Sequence, residues 1–198
     1  MGGSSIWLCP PAGTQIEAVL IKLISNTVPA YFGDEKVPDF RPHATITSEI
    51  PSNLDPQEVL DSIDIKELPN VVFSSMVIGE TFFTRGTLHI EKNDSIVALA
   101  THCREKFAFG GQSKDDAEKW AREIFTPHVS LVYSNLWPIP EDVSKAIEND
   151  VLSAGIGLSG VSGSNSEPDM NGWKGGKLLL VPTSKPLDEW VVLAERNL

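Results

Sequence analysis

Pro42-His43-Ala44-Thr45-Ile46 and Pro127-His128-Val129-Ser130-Leu131 read almost as copies of one another. Each follows a proline with a histidine, a spacer, a hydroxyl residue and an aliphatic residue, in a run rich in strand formers. Residues i and i+2 of a strand point to the same face. His43 would therefore share a face with Thr45, and His128 with Ser130. If the two strands meet across a cleft, they bring together two imidazoles and two hydroxyls. Such a set can give and take a proton on opposite sides of a phosphate while hydroxyls hold its oxygens.

Outward from these segments, Ser5–Cys9 reads as a first strand stopped by Pro10-Pro11. Ile16, Val19, Leu20, Leu23 and Ile24 recur at the spacing of an amphipathic helix. Val28 to Phe40 is irregular. Asp55-Pro56 marks the start of a short helix running to about Ile63, with Asp55 as its cap. Val71–Ile78 and Thr87–Ile90 are strand-like around a turn at Thr84-Arg85-Gly86. Asp94 or Ser95 would cap a helix carrying Ile96, Leu99, Cys103 and Phe107. Lys114–Ile124 and Pro140–Val151 read as further helices. His128–Tyr133, Leu178–Val181 and Glu189–Leu193 read as strands. Ser153–Gly176, rich in Gly and Ser, reads as a mobile loop. Helix then His-x-Thr strand in one half, helix then His-x-Ser strand in the other, amounts to a rough duplication. Without strict βαβ alternation the class is α+β, and two similar lobes facing each other would unite the motifs.

The composition narrows the partners. A chain of 198 residues, 41% hydrophobic and 22% charged, suits a globular protein with one substantial core. No apolar run nears the roughly 20 residues of a membrane span, and no signal peptide is evident, so an intracellular, cytoplasmic location is expected. The net charge of −11 argues against long nucleic acid, which demands many phosphate-neutralising cations. Neither Cys9 nor Cys103 has metal-ligand spacing, and both read as free core thiols. No heptad pattern is present, so a monomer is expected.

A cyclic phosphate on a ribose fits this residue set. Opening it requires a base for water and an acid for the leaving alkoxide, and histidine titrates in the right range for both. Thr45 and Ser130 would donate to the oxygens where charge builds. No cofactor or metal is required, and no carboxylate cluster suits a two-metal site. Spacing leaves open which histidine is base and which is acid.

With His43-Ala44-Thr45 and His128-Val129-Ser130 in place, the chain resembles the two-histidine (2H) phosphoesterase superfamily. Its layout is similar to the fungal and plant cyclic phosphodiesterases, with Trp7 in an early strand, Tyr133 five residues after the second histidine, and Trp173 ahead of the closing strands. The resemblance spans nearly the whole chain. It implies a single bilobal domain over 1–198, with two mostly antiparallel sheets facing a central cleft and helices outside. It also implies metal-independent opening of ADP-ribose 1″,2″-cyclic phosphate to ADP-ribose 1″-phosphate, and of nucleoside 2′,3′-cyclic phosphates to 2′-phosphates. The first of these substrates arises in tRNA splicing. Catalysis would fall to His43 and His128, and substrate binding to Thr45, Ser130, Tyr133 and Trp7.

Other assignments stand beside these. Tyr133 is either a core residue or a ligand that a bulge returns to the cleft. Trp7 either packs in the core or stacks on a base. Arg41 and Arg85 could neutralise phosphate, with Arg85 reading more as a surface residue, and the role of Lys177 is open. His89 and His102 read as structural, and Trp120, Trp137 and Trp190 as packing residues. The competing functions are a 2H enzyme acting on RNA termini and a non-catalytic module that binds a phosphorylated ligand.

Overall fold

The computed structural model describes residues 3–33, 35–160 and 170–198. The strands are β1 (Gly3–Cys9), β2 (Ala44–Pro51), β3 (Asn70–Val77), β4 (Gly86–Ile90), β5 (His128–Val132), β6 (Gly172–Lys174), β7 (Lys177–Val181) and β8 (Ala194–Asn197). The helices are α1 (Gln15–Lys22), α2 (Pro56–Asp61), α3 (Asp94–Phe107), α4 (Lys114–Lys119) and α5 (Glu141–Ser153). A π-helical turn extends α1 over Leu23–Thr27, and another extends α4 over Trp120–Ile124. None of the described helices is long and apolar enough to cross a membrane.

Local chemistry sets the helix starts. Thr14 caps α1, and Asp55 accepts from the amides of Gln57 and Glu58 at the head of α2. The α3 cap is Asn93, one residue before the earlier of the two expected caps, Asp94 and Ser95. Its side chain accepts from the Ile96 amide at 3.2 Å and also donates to the Asn70 carbonyl, tying the helix start to β3.

The expected pair of sheets is corrected: the strands form one curled antiparallel sheet in the order β6-β3-β4-β5-β2-β1-β7-β8. Each half contributes four strands, and the halves join where Ala44 of β2 pairs with Val129 of β5. One face of the sheet carries Ile6, Leu8, Ala44, Ile46, Leu88, Val129, Leu131, Leu178 and Leu180, all within the main core. The opposite face carries the repeated motifs, with Trp7, Cys9, Leu179, Val181 and Trp190 in a second, small apolar cluster.

Two other expectations change. Glu189–Leu193 is not a strand; the closing strand is Ala194–Asn197, paired to β7 with Ala194 opposite Leu180. Arg196 secures this edge by donating to the carbonyls of Leu60, Asp61 and Ile63. The Gly/Ser-rich stretch is not a loop throughout. Residues 161–169 lie outside the described residues, but Gly172–Lys174 pairs with Asn70–Val72 as β6. Gly172 permits this close approach, because a Cβ there would lie 1.9 Å from the Val71 carbonyl oxygen. Upstream, Ser159 and Gly160 donate to the carbonyls of Phe73 and Ser74, continuing that edge.

Candidate active site

Antiparallel pairing of Ala44 with Val129 has a direct consequence for the motifs. Both of these small apolar residues face the main core, so their neighbours at i±1 face the other way. Moving one residue along each strand sets Thr45 across from His128 and His43 across from Ser130. Each histidine therefore faces the hydroxyl residue of the other motif, around a local two-fold centred on the pair.

The two imidazoles are held alike. Nδ1 of His43 lies 2.6 Å from the Arg41 carbonyl oxygen, and Nδ1 of His128 lies 2.8 Å from that of Thr126. A carbonyl only accepts, so Nδ1 carries the proton in each ring. Among the described residues Nε2 has no hydrogen-bond partner in either ring. The prolines at 42 and 127 stand between each histidine and the carbonyl it uses. Each favours extended backbone in the residue before it.

Their surroundings differ. His43 is buried, stacked on Trp7 with ring centroids 3.6 Å apart and planes at 13°. Phe40 meets its edge at 6.1 Å. Burial, helped by the charge of His128, pushes the His43 imidazole down to about 4 against the partial offset of its bond to Arg41. His128 is only partly buried, at the start of its strand.

The Thr45 hydroxyl has no hydrogen-bond partner among the described residues, whereas Ser130 donates to the Phe83 carbonyl at 3.0 Å. Tyr133 comes back to this face. Thr87 pairs with Ser130 but Gly86 pairs with Val132, so Leu131 is an extra residue on β5. The bulge changes the strand's alternation, and the odd offset from Ser130 to Tyr133 no longer sends the tyrosine to the other side. Its phenol is buried, which pushes its titration up, and the neighbouring Ser130 hydroxyl offsets part of that rise. Its ring stacks on Phe40 at 4.0 Å.

Trp7 is 5% exposed, with one face on His43 and Trp190 meeting it edge-on at 5.7 Å. It offers a wall to His43 rather than an open platform. The more open aromatic surface is Phe83, 47% exposed and stacked on Trp190 at 5.9 Å. The sequence reading missed Phe83 and left Trp190 to packing; the adjacent aromatics Phe82-Phe83 before a turn were the available signal. Trp120 does pack, stacked on Phe125, and Trp137 covers Arg85 with the guanidinium 4.8 Å from its ring centre.

The cations separate. Arg85 is not a surface residue: it is 2% exposed and donates to the carbonyls of Gly79, Glu80 and Ser134, stapling the turn before β4 to the end of β5. Lys177 pairs with Glu195 at 3.1 Å. Arg41 is exposed and, with Lys177 and Phe40, lines a groove of about 440 Å³ that reaches Cys9 and Leu179. Cys9 and Cys103 are free and buried. Among the described residues no group of three or more His, Cys, Asp or Glu side chains is placed to hold a metal ion.

The family model described as cyclic phosphodiesterase-like protein matches residues 1–198. A 2′,3′-cyclic-nucleotide 3′-phosphodiesterase of Phaeosphaeria nodorum is 36% identical, with 100% of each chain covered. Proteins of the same name from Neurospora crassa and Yarrowia lipolytica are 33% and 31% identical. The first match covers 100% of each chain, and the second covers 98% of this chain and 99% of the relative.

Proposed function

This chain belongs to the family of cyclic phosphodiesterase-like proteins, and from that premise we propose that it opens the cyclic phosphate of small nucleotides by paired-imidazole catalysis. The observation that carries the reading is the shared setting of His43 and His128. Both lie on one face of the sheet, with Nδ1 tied to a carbonyl two residues back and Nε2 free.

His43 is the base. Burial against Trp7 keeps it neutral at physiological pH, so its Nε2 lone pair takes a proton from water as the water oxygen attacks phosphorus. His128 is the acid. As the bond from phosphorus to the leaving ribose oxygen breaks, Nε2–H of His128 protonates that oxygen. With a nucleoside 2′,3′-cyclic phosphate, the 3′ oxygen leaves and the 2′-phosphate remains. With ADP-ribose 1″,2″-cyclic phosphate, the 2″ oxygen leaves and the 1″-phosphate remains. Thr45 donates to the oxygens that gain charge. Ser130 does so after giving up the Phe83 carbonyl, and Tyr133 supports Ser130.

Both proton transfers use protein groups, so the reaction proceeds without a metal or cofactor. The substrate is a small cyclic nucleotide rather than long nucleic acid, in keeping with the acidic chain. Residues 1–198 act as one domain and as a monomer, in a cytoplasmic role on products of tRNA splicing.

Phosphorus NMR in EDTA, with 2′,3′-cyclic AMP and ADP-ribose 1″,2″-cyclic phosphate in separate tubes, tests the reading. The cyclic resonance is expected to convert to a single monoester, with the conversion lost in His43→Ala and His128→Ala. No conversion of either substrate would move the function to RNA ends or to binding alone.

A further inference from the structure

The level of the sheet that holds His128 continues beyond the repeated motifs. Thr45 lies on one side of His128, by the register of β2 and β5. On the other side His89 of β4 pairs directly with His128, and Ser75 of β3 pairs with His89. His89 thus flanks His128 from the side opposite Thr45, on the same face. The two imidazole centroids are 6.3 Å apart, with planes at 39°.

The hydrogen bonding of His89 sets it apart. His43, His128 and His102 each have a backbone partner, at Arg41, Thr126 and Asp64. The His89 ring has none among the described residues, and it is partly buried with nitrogens not sealed away from solvent. A partly buried imidazole without a partner suits a ligand that brings one.

We propose that His89 is a third phosphate-facing imidazole, which binds the oxygens of the same phosphate whose leaving ribose oxygen His128 protonates. Two hydrogen bonds of about 2.8 Å plus the width of a phosphate reach across neighbouring rings at this separation. The inference rests on the reaction proposed above and adds a binding residue to it.

Among the described residues no anionic side chain competes for the ring. On β5 it faces His128, and on β3 it faces Ser75. Along its own strand Thr87 donates to the Val77 carbonyl, and Glu91 accepts from Ser159. Burial, with the charge of His128, lowers the titration of His89, so at neutral pH it is a neutral donor. A bound monoester would draw its titration upward.

The test uses adenosine 2′-monophosphate as the probe, on the full chain. In His89→Leu the inhibition constant of this ligand and the KM for 2′,3′-cyclic AMP are both expected to rise by about tenfold, the loss of one charge-assisted hydrogen bond. Their common rise should exceed the fall in kcat, and His89→Gln should restore part of it. In the wild-type protein, proton NMR should show the His89 resonance, identified by its absence from the Gln variant, titrating at higher pH once the ligand is bound. An inhibition constant within about twofold of wild type in a folded His89→Leu protein, or a His89 titration unmoved at saturation, would overturn the proposal. Absence of turnover by the wild-type protein would strike the proposed reaction instead, because the ligand titration reads His89 without any turnover.

Discussion

The two halves of the sheet carry the same local device in different settings. In the half built from β2, β1, β7 and β8, His43 is sealed beneath Trp7. In the half built from β6, β3, β4 and β5, His128 lies partly open beside a second imidazole. Local sequence fixes the tautomer in both, through the bond from Nδ1 to the carbonyl two residues back. In the proposed reaction the surroundings would divide the labour, since burial keeps the His43 ring neutral while His128 sits in a more open position. On the proposed mechanism, a base and an acid for one pH would come from a duplicated motif by burying one copy more deeply.

Removing either ring is the strongest way to break this division. His43→Ala and His128→Ala are each expected to lower kcat by about 10²- to 10⁴-fold, the usual worth of a positioned proton donor or acceptor. Steady-state kinetics reads the loss, and circular dichroism checks that the fold persists.

Stability against pH is expected to reveal His43 separately. The unfolded imidazole takes its proton near 6.5, whereas the folded one resists until about 4. Between those values the unfolded chain binds more protons, so stability falls as pH falls through that window. Above 6.5 the penalty is absent. The full effect is about 3 kcal/mol, because each pH unit of that window is worth about 1.4 kcal/mol. Chemical denaturation at pH 7 and at pH 4.5 should show most of this loss in the wild-type protein. His43→Asn should lack this contribution, and an unchanged pH dependence in that variant would remove the basis for calling His43 the neutral partner.

The hydroxyls offer a finer comparison. Thr45 is free to donate, whereas Ser130 is already committed to the Phe83 carbonyl. Thr45→Val is therefore expected to reduce kcat by roughly 10- to 100-fold, and Ser130→Ala by less than about tenfold. Equal losses would show that the Ser130 bond is surrendered to substrate at little cost.

The smallest effect sharpens the role of Trp7. Trp7→Leu keeps an apolar residue but loosens the cover on His43, so the His43 titration should move back toward 6.5. The acid limb of the pH profile of kcat/KM is expected to rise by on the order of one pH unit. A stationary limb would mean that burial by Trp7 does not control the base.

Much of the fold is legible in linear patterns. The apolar run of β1 ahead of Pro10-Pro11, the helical spacing from Ile16 to Ile24 and the Asp55-Pro56 start all appear where local chemistry requires them. The closing strand illustrates the limit. Val191, Val192 and Leu193 have strand-forming side chains yet are exposed, while the polar run Ala194–Asn197 holds the edge. Pairing with β7 and the three bonds of Arg196 decide that edge, and both depend on residues distant in the chain. The α3 cap moved for a similar reason: Asn93 serves the helix and β3 together.

The candidate site divides along the same line. By itself the sequence determined the two His-x-hydroxyl strands, the faces their side chains share and a family resemblance that the match over 1–198 upholds. These follow from a two-residue period that any strand obeys. The tertiary structure alone decided that one continuous sheet joins the halves at Ala44 and Val129, and that a bulge at Leu131 returns Tyr133 to the face of the motifs. It also set His89 beside His128 and buried His43 beneath Trp7. Register and burial are relations between segments far apart in the chain. Their free energy comes from surfaces that meet only on folding, which no local pattern records.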